Sequence, residues 1–451
     1  MKTKLLALLL AALLVFAVFA ACTTTEDDVT PPVDNNVEAP PVDNNEDEPP
    51  VESDEEITLT VWTWDPSFNI LAINEAAAIY SEINPNVTVE VEEIFWDDLQ
   101  VQLTNIAASG NLDLMPDIFL VQDGAFQLNV MDNPQLFLDL TDSAINFSEF
   151  SSAKAAMSMV NGRNYGVPFD NGTVITAFRT DVLEEAGFTI DDLTGITWDR
   201  FIEIGEVVLA ETGLPLMSTT AGGGDLITAM LQSASTSPFD AEGEAFIAGN
   251  ETIISAIETY QRLISTGVVV EMNDWDSFIS SFVGGSVAGT LAGCWIVGSV
   301  MQNENEGDWG VANMPSLPGG TNYSNWGGSS WAVSAASPNA EAAISFLNAT
   351  FAGSTDFYDV ILHEAGAIST WLPAAGSPAY AEPHPFFGGQ AIFADIVRWS
   401  GNVPALATDN LFFYEARDAI NNAVNRIISE GQDITASLDQ AQSELEFIMA
   451  G

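Results

Sequence analysis

Aromatic or amide side chains stand next to acidic side chains at three points of this chain, each time shortly after a strand-like segment. These points are Trp64-Asp65, Trp96-Asp97-Asp98 and Gln122-Asp123. A flat indole ring offers a surface to C–H groups, and carboxylates and amides hydrogen-bond to paired hydroxyl groups. Such a combination suits a ligand that carries hydroxyl groups around an apolar ring face, which is the chemistry of a sugar.

Further candidates for the same chemistry lie later in the chain: Asp170, Trp295, Trp326, Trp371 and Tyr414. The alternative for each tryptophan is a place in the core, and for Asp65, Asp123 and Asp170 it is helix capping or a solvated turn. Core packing suits another three tryptophans better, because they lie inside a strand or at a helix start: Trp62, Trp198 and Trp331.

The elements that would position these side chains alternate between strand and helix. Strand patterns cover 57–62, 87–92 and 117–121, and helix patterns cover 70–83 and 99–108. In the first helix, Ile73, Tyr80 and Ile83 fall on one face with Ile70 and Ala77. Further helices are predicted over 253–264, 339–352 and 412–429, and one begins at the N-cap Thr197. The alternation predicts a parallel or mixed sheet covered on both faces, with ligands bound beyond the carboxyl ends of the strands.

The charge of the chain is strongly one-sided, at a formal net −54. Residues 26–56 hold 13 acidic and no basic side chains, and the first four residues hold two lysines, which leaves residues 57–451 with 51 acidic and 8 basic side chains. Such a surface repels nucleic acid and anionic lipid, so neither is an expected partner. It suits a salty external medium or a cationic ligand, and the first is the plainer interpretation.

Motifs for catalysis or metal binding are largely missing from the sequence. There is no Gly-x-Ser-x-Gly elbow and no phosphate-binding loop, and His363-Glu364 lacks a second histidine at position 367. His384 lies among prolines, so neither a metal nor another cofactor is expected. Paired carboxylates of the glycosidase type stay open, because so many acidic residues make chance pairs inevitable.

The N-terminus reads as an export segment. Lys2 and Lys4 precede an apolar run over 5–19, and Ala20-Ala21-Cys22 resembles the site where a lipoprotein signal (1–21) is removed and Cys22 is lipidated. An uncleaved anchor or an ordinary secretory signal are the alternatives. Residues 22–56 repeat prolines and acids with a nine-residue period, which predicts a disordered linker. Cys294, with apolar neighbours, is expected to be a buried structural thiol.

Several motifs, in order, resemble the extracellular solute-binding proteins of carbohydrate ABC importers, the family of maltose-binding protein. They comprise the segments 110–118, 165–170, 178–188, 197–201, 282–295 and 335–347. Within them, Pro116-Asp117-Ile118, Thr197-Trp198-Asp199 and Gly293-Cys294-Trp295 carry the likeness best. Ser286-Val287-Ala288-Gly289 departs from the Lys-x-Ala-Met usual there, so ligand contacts cannot be copied from a relative.

The resemblance implies an α/β fold of two lobes that close on a ligand in the cleft between them. Lobe one would comprise residues 57–168 and 328–378, and lobe two 169–327 and 379–451. It also implies a sugar ligand, permease subunits as partners and a monomer. The lipoprotein signal predicts a place outside the cytoplasm, held to the membrane by lipidated Cys22, and the missing catalytic motifs favour a protein without enzymatic activity. A polyamine or peptide-like ligand, a secreted glycan-acting enzyme and an adhesive surface lipoprotein are the competing interpretations.

Overall fold

The computed structural model describes residues 56–404 and 410–450. The signal segment, Cys22 and the linker up to residue 55 lie outside the described residues. Two five-stranded sheets organise the described chain, and each forms the centre of one α/β lobe. We call the part built on the first sheet lobe one and the part built on the second sheet lobe two.

The sheet of lobe one is mixed, as the sequence predicts. Its strands are β1 (Ile57–Thr63), β2 (Val87–Glu93), β3 (Ile118–Gln122), β6 (Gly166–Pro168) and β12 (Ser329–Val333). They lie in the order β2-β1-β3-β12-β6, with β1 parallel to β2 and β3, and β12 antiparallel to β3 and β6. β4 (Met159–Val160) and β5 (Arg163–Asn164) form a separate antiparallel hairpin, which comes directly before β6 in the sequence.

The sheet of lobe two is also mixed. Its strands are β7 (Val174–Arg179), β8 (Met217–Thr220), β9 (Val269–Met272), β10 (Gly289–Gly293) and β11 (Trp309–Asn313). They lie in the order β11-β7-β10-β8-β9, with β7 antiparallel to both of its neighbours and β8 parallel to both of its own. The carboxyl ends of β1, β2 and β3 in lobe one, and of β8 in lobe two, therefore supply the loops in which a ligand site is expected.

Helices cover the sheets. Those of the first half are α1 (Asn69–Ile83), α2 (Trp96–Ser109), α3 (Asp123–Asp132), α4 (Ser152–Met157), α5 (Thr180–Glu185), α6 (Trp198–Thr212) and α7 (Gly224–Ser233). Those of the second half are α8 (Glu251–Ser265), α9 (Trp275–Val283), α10 (Val297–Val300), α11 (Ala340–Ala349), α12 (Thr355–Ala365), α13 (Ile392–Ser400), α14 (Phe413–Glu430) and α15 (Ile434–Met449). Within the described ranges, none of these helices is long and apolar enough to cross a membrane.

The predicted helices are confirmed, with ends shifted by a few residues. Thr197 caps α6, since its side chain accepts from the Arg200 backbone N–H. The predicted face of α1 is partly wrong: Ile73 and Tyr80 are buried, but Ile83 is 61% exposed because it lies in the last turn of α1, where the chain reaches the surface.

Three tryptophans and Cys294 are buried in the cores of the lobes, which confirms the sequence prediction that they are core residues. Trp62, Trp198 and Trp331 are all buried. Cys294 is buried as well, its thiol donates to the Asn171 carbonyl at 3.1 Å, and burial raises its pKa well above the ordinary value. A thiol held protonated in this way is unreactive.

Three segments connect the lobes and lie side by side. The segment 169–173 leads from β6 to β7, and the segment 314–328 leads from β11 back to β12. They are joined by hydrogen bonds from the Trp326 N–H to the Gly172 carbonyl (2.6 Å) and from the Val174 N–H to the Ser324 carbonyl (2.9 Å). The third follows α12, where Ser369 forms a bridge to Asp170. Three connections along one line between two separate sheets are the arrangement typical of hinged two-lobe proteins.

Candidate functional site

Two tryptophans meet at the carboxyl ends of β1 and β2, as the parallel pairing of those strands predicts. The ring centroids of Trp64 and Trp96 lie 5.2 Å apart at an interplanar angle of 54°, and both side chains are half-buried. Both pack against the core of lobe one. The structure thus forms a paired aromatic surface from two residues that are 32 positions apart in the sequence.

Asp65 shapes the turn between β1 and α1. Its backbone is left-handed (φ 60°), and its carboxylate accepts from the N–H and the hydroxyl of Ser67 at 3.1 and 2.8 Å. Burial raises the pKa of this carboxyl group, against the lowering effect of those bonds. The hydroxyl of Ser67 lies 3.0 Å from that of Ser299 in lobe two, so this turn touches the opposite lobe.

Asp123, the first residue of α3, is buried in an ion pair with Lys154. Its other oxygen accepts from the Ser330 hydroxyl at 3.2 Å, and its backbone N–H donates to the Gly328 carbonyl at 2.9 Å. Burial raises the pKa of Asp123 to about 6, although Lys154 opposes that shift. The alternative of a solvated turn is therefore wrong for this carboxylate.

Asp170 lies in the first connecting segment and is 2% exposed. One of its oxygens accepts from both the N–H (2.8 Å) and the hydroxyl (2.6 Å) of Ser329, the first residue of β12. Burial raises the pKa of Asp170, and the charge of Lys154 lowers it. We call Asp123, Lys154 and Asp170 the buried charge cluster; it lies where the chain passes from one lobe to the other.

Tyr414 reaches across from α14 of lobe two to lobe one. Its hydroxyl donates to the Gln122 side-chain oxygen at 2.7 Å, and its ring lies over Gly124, where an added Cβ would be 3.0 Å from the ring. The guanidinium of Arg417 lies 4.6 Å from the ring centroid and pairs with Asp225 at 3.3 Å. Residues 122–124 therefore face lobe two at Tyr414.

Trp295 and Trp326 are both half-buried and linked to each other. The Trp295 indole N–H donates to the Trp326 carbonyl at 2.9 Å, which fixes the second connecting segment. The Trp295 ring lies 5.5 Å from that of Trp275 and packs against core residues of both lobes. Trp326 packs against the core of lobe two. Both residues thus lie where the two lobes meet.

The chain is similar to known proteins in both sequence and fold. The family model of the bacterial extracellular solute-binding proteins matches residues 75–378, which is more than half of the chain. The chain belongs to this family. The lactose-binding protein of Rhizobium radiobacter is 39% identical to this solute-binding protein over 351 residues, which cover 77% of this chain and 83% of the relative.

Solved structures share the two-lobe fold of this solute-binding protein. The GacH receptor of Streptomyces glaucescens, studied without ligand and with acarbose, superposes with a TM-score of 0.73 at 16% identity, over 87% of this chain and 97% of the receptor. The ABC-transporter-associated binding protein of B. animalis subsp. lactis Bl-04, in complex with β-1,6-galactobiose, gives a TM-score of 0.73 at 20% identity, over 86% and 96%. Identities this low establish the fold alone.

Trp371 is not brought together with the other predicted residues of this solute-binding protein. It is 7% exposed, its indole N–H donates to Glu149 at 3.1 Å, and its ring stacks on Tyr358 with centroids 6.2 Å apart. It therefore packs in the core of lobe one. Its role in ligand binding stays a prediction from the sequence.

Sequence reasoning missed the cations of the site. Lys154 lies 31 residues from Asp123 in a short helix with no recognisable pattern, and only its rarity could have drawn attention to it. Arg417 and Asp225 were missed too, although the spacing of Tyr414 and Arg417, three residues apart on a helix, places both on one face. Within residues 56–404 and 410–450, no group of three or more possible ligands could hold a metal ion.

Proposed function

We propose that this solute-binding protein captures a disaccharide or short oligosaccharide between its lobes and delivers it to the permease of an ABC importer. The observation that carries the proposal is the 39% identity to a lactose-binding protein over 77% of the chain. The placement of paired tryptophans and buried carboxylates at the meeting point of the lobes supports it, since these groups suit sugar rings and hydroxyls. A β-galactoside is the first ligand to test.

The proposed cleft residues are Trp64, Asp65, Trp96, Asp123, Asp170, Trp295, Trp326 and Tyr414. The proposed lobes are residues 57–168 with 328–378, and 169–327 with 379–451. We further propose that lipidated Cys22 holds the protein at the outer face of the cell membrane, that it acts as a monomer, and that it releases its ligand unchanged. The match to the family of extracellular solute-binding proteins supports the last point.

A thermal-shift screen of the chain without its signal segment tests this function. The panel contains lactose, β-1,6-galactobiose, maltose, spermidine and short peptides. A ligand present at 100 times its Kd stabilises the native state by about 2.7 kcal/mol, which raises the melting temperature measurably. We expect a shift with at least one saccharide and no products by chromatography. A shift with spermidine or peptides alone would discard the sugar, and product formation would indicate an enzyme.

Tyr414→Phe should weaken the affinity for that saccharide by roughly two- to tenfold, the value of one neutral hydrogen bond. The lost bond joins Tyr414 to Gln122 across the cleft, so it stabilises only the closed arrangement. Isothermal titration calorimetry measures the change.

Tyr80→Phe is the matched control for this variant, because the Tyr80 hydroxyl donates to Ser345 at 2.9 Å within lobe one. It should lower stability and leave affinity unchanged. Equal affinities for Tyr414→Phe and the unmodified protein would show that the Tyr414 bond does not stabilise the liganded state.

A further inference from the structure

Lys154 is the one lysine that follows the signal segment in a chain of 451 residues, and it is 5% exposed. Its ammonium group donates to Asp123 inside lobe one. Removing an ion pair from water costs several kcal/mol per ion, and apolar residues of similar volume often stabilise a protein as well or better. Stability alone therefore gives no reason for this lysine in a chain so depleted of basic residues.

The chain makes room for the pair at Gly328. This glycine has φ +104°, a conformation that other residues rarely adopt. A Cβ at this position would lie 2.6 Å from the Asp123 carboxylate and 3.2 Å from the Lys154 ammonium. The second connecting segment thus passes directly over the ion pair, which a side chain at position 328 would disturb.

The side chain of Asp123 is 7% exposed, and its backbone lies where the two lobes meet. Gln122 and Gly124, the residues on either side of Asp123, both contact Tyr414 of lobe two. One Asp123 oxygen accepts from Lys154 and the other from Ser330, and each carboxylate oxygen has a second lone pair for a further donor. Asp123 is therefore held from inside lobe one while its surroundings face the opposite lobe.

We propose that Lys154 is a positioning residue that holds Asp123 ionised and oriented as the acceptor for ligand hydroxyl groups, and so sets the lowest pH at which the cleft binds sugar. This inference rests on the proposed function and extends it to a residue that does not touch the ligand.

The charges around Asp123 give the direction of the pH effect. Burial and the neighbouring Asp170 raise the pKa of Asp123 to about 6, and Lys154 is the cation that opposes them. From α14, the phenol of Tyr414 is protonated because burial raises its pKa, and Arg417 lies beyond its ring. An ionised Asp123 accepts two hydroxyl donors where a protonated one must donate, so affinity falls as the pH drops through the pKa of Asp123.

Calorimetric titration with lactose from pH 5 to pH 8.5 tests the inference on four proteins: the unmodified chain, Lys154→Met, Lys154→Arg and Arg163→Met. The unmodified chain should bind with constant affinity above pH 7 and lose about tenfold per pH unit below pH 6, as one proton competes with the ligand. Lys154→Met should bind about thirtyfold more weakly or worse at pH 7, with the fall in affinity displaced to higher pH. Lys154→Arg should retain most of the affinity at pH 7 and should lose affinity over nearly the same pH range as the unmodified chain.

Arg163→Met removes an equal charge from lobe one at a side chain that is 47% exposed, and should change neither affinity nor the pH profile. Unchanged binding by Lys154→Met would overturn the inference. So would a uniform loss of affinity with the pH profile of the unmodified chain, because that pattern marks a purely structural role.

A carboxyl-carbon NMR titration of Asp123, assigned through Asp123→Asn, provides a readout that needs no ligand. Its midpoint should rise in Lys154→Met and stay in place in Arg163→Met. If the unmodified chain binds none of the panel sugars, the proposed function fails, and the NMR midpoint still decides whether Lys154 controls Asp123. An unchanged midpoint would overturn that control.

Discussion

Replacing Trp295 with alanine should weaken sugar binding by roughly 30- to 1000-fold, the range of aromatic residues that dominate an interface. The ring is half-buried where the two lobes meet, and its N–H fixes the carbonyl of Trp326 in the second connecting segment. The variant thus loses a surface for the ligand and a contact that holds the neighbouring tryptophan. Calorimetric titration with the saccharide found by thermal shift measures the loss.

Trp295→Phe separates these two contributions. It keeps an aromatic ring, although a smaller one, and removes the hydrogen bond to Trp326. Affinity close to that of the unmodified protein would identify the ring as the important part, and a loss equal to that of the alanine variant would identify the hydrogen bond. An alanine variant that unfolds, while its folded fraction binds normally, would assign Trp295 to the core and contradict the prediction.

Replacing Trp331 with alanine should lower the free energy of unfolding by about 3–5 kcal/mol. The side chain is 0% exposed in the interior strand β12 of lobe one, and its ring lies 5.7 Å from that of Phe169 and 5.4 Å from that of Phe351. Its removal leaves a cavity that the surrounding rings can fill only in part. Urea unfolding followed by circular dichroism measures the change.

Trp96→Ala is the matched comparison for this second prediction. Trp96 is half-buried at the first position of α2, so its loss should cost clearly less stability than that of Trp331 and should impair sugar binding instead. Equal losses of stability in the two variants would contradict the assignment of Trp331 to the core and of Trp96 to the cleft.

The sequence predicted the part of the site that depends on strand ends. The residue patterns located β1, β2 and β3 and placed Trp64 and Trp96 after β1 and β2, and in the structure the parallel pairing of those strands brings the two rings together. The likeness to sugar-binding proteins supplied the second lobe and the position of Trp295. These inferences succeed because each depends on local periodicity or on a short motif that keeps its place in the fold.

The buried charge cluster could not be predicted, because it is assembled from distant positions. Asp123 meets Lys154 from 31 residues away and Ser330 from 207 residues away, and neither partner belongs to a periodic pattern. The same limit explains why Asp170 was equally compatible with a solvated turn. Its partner, Ser329, is the first residue of β12 and lies 159 positions away in the sequence. Burial of a carboxylate is a property of the tertiary structure.

The position of β12 in the sheet of lobe one also determines the order in which the two sheets can form during folding. This strand, residues 329–333, lies between β3 and β6, so the first sheet remains in two parts until residue 333 of 451 has been synthesised. The strands of lobe two, from Val174 to Asn313, are all made before that point. Domains commonly fold from the N-terminus as a chain emerges from the ribosome. Here the sheet of lobe two can form first, and the sheet of lobe one stays incomplete until β12 is added.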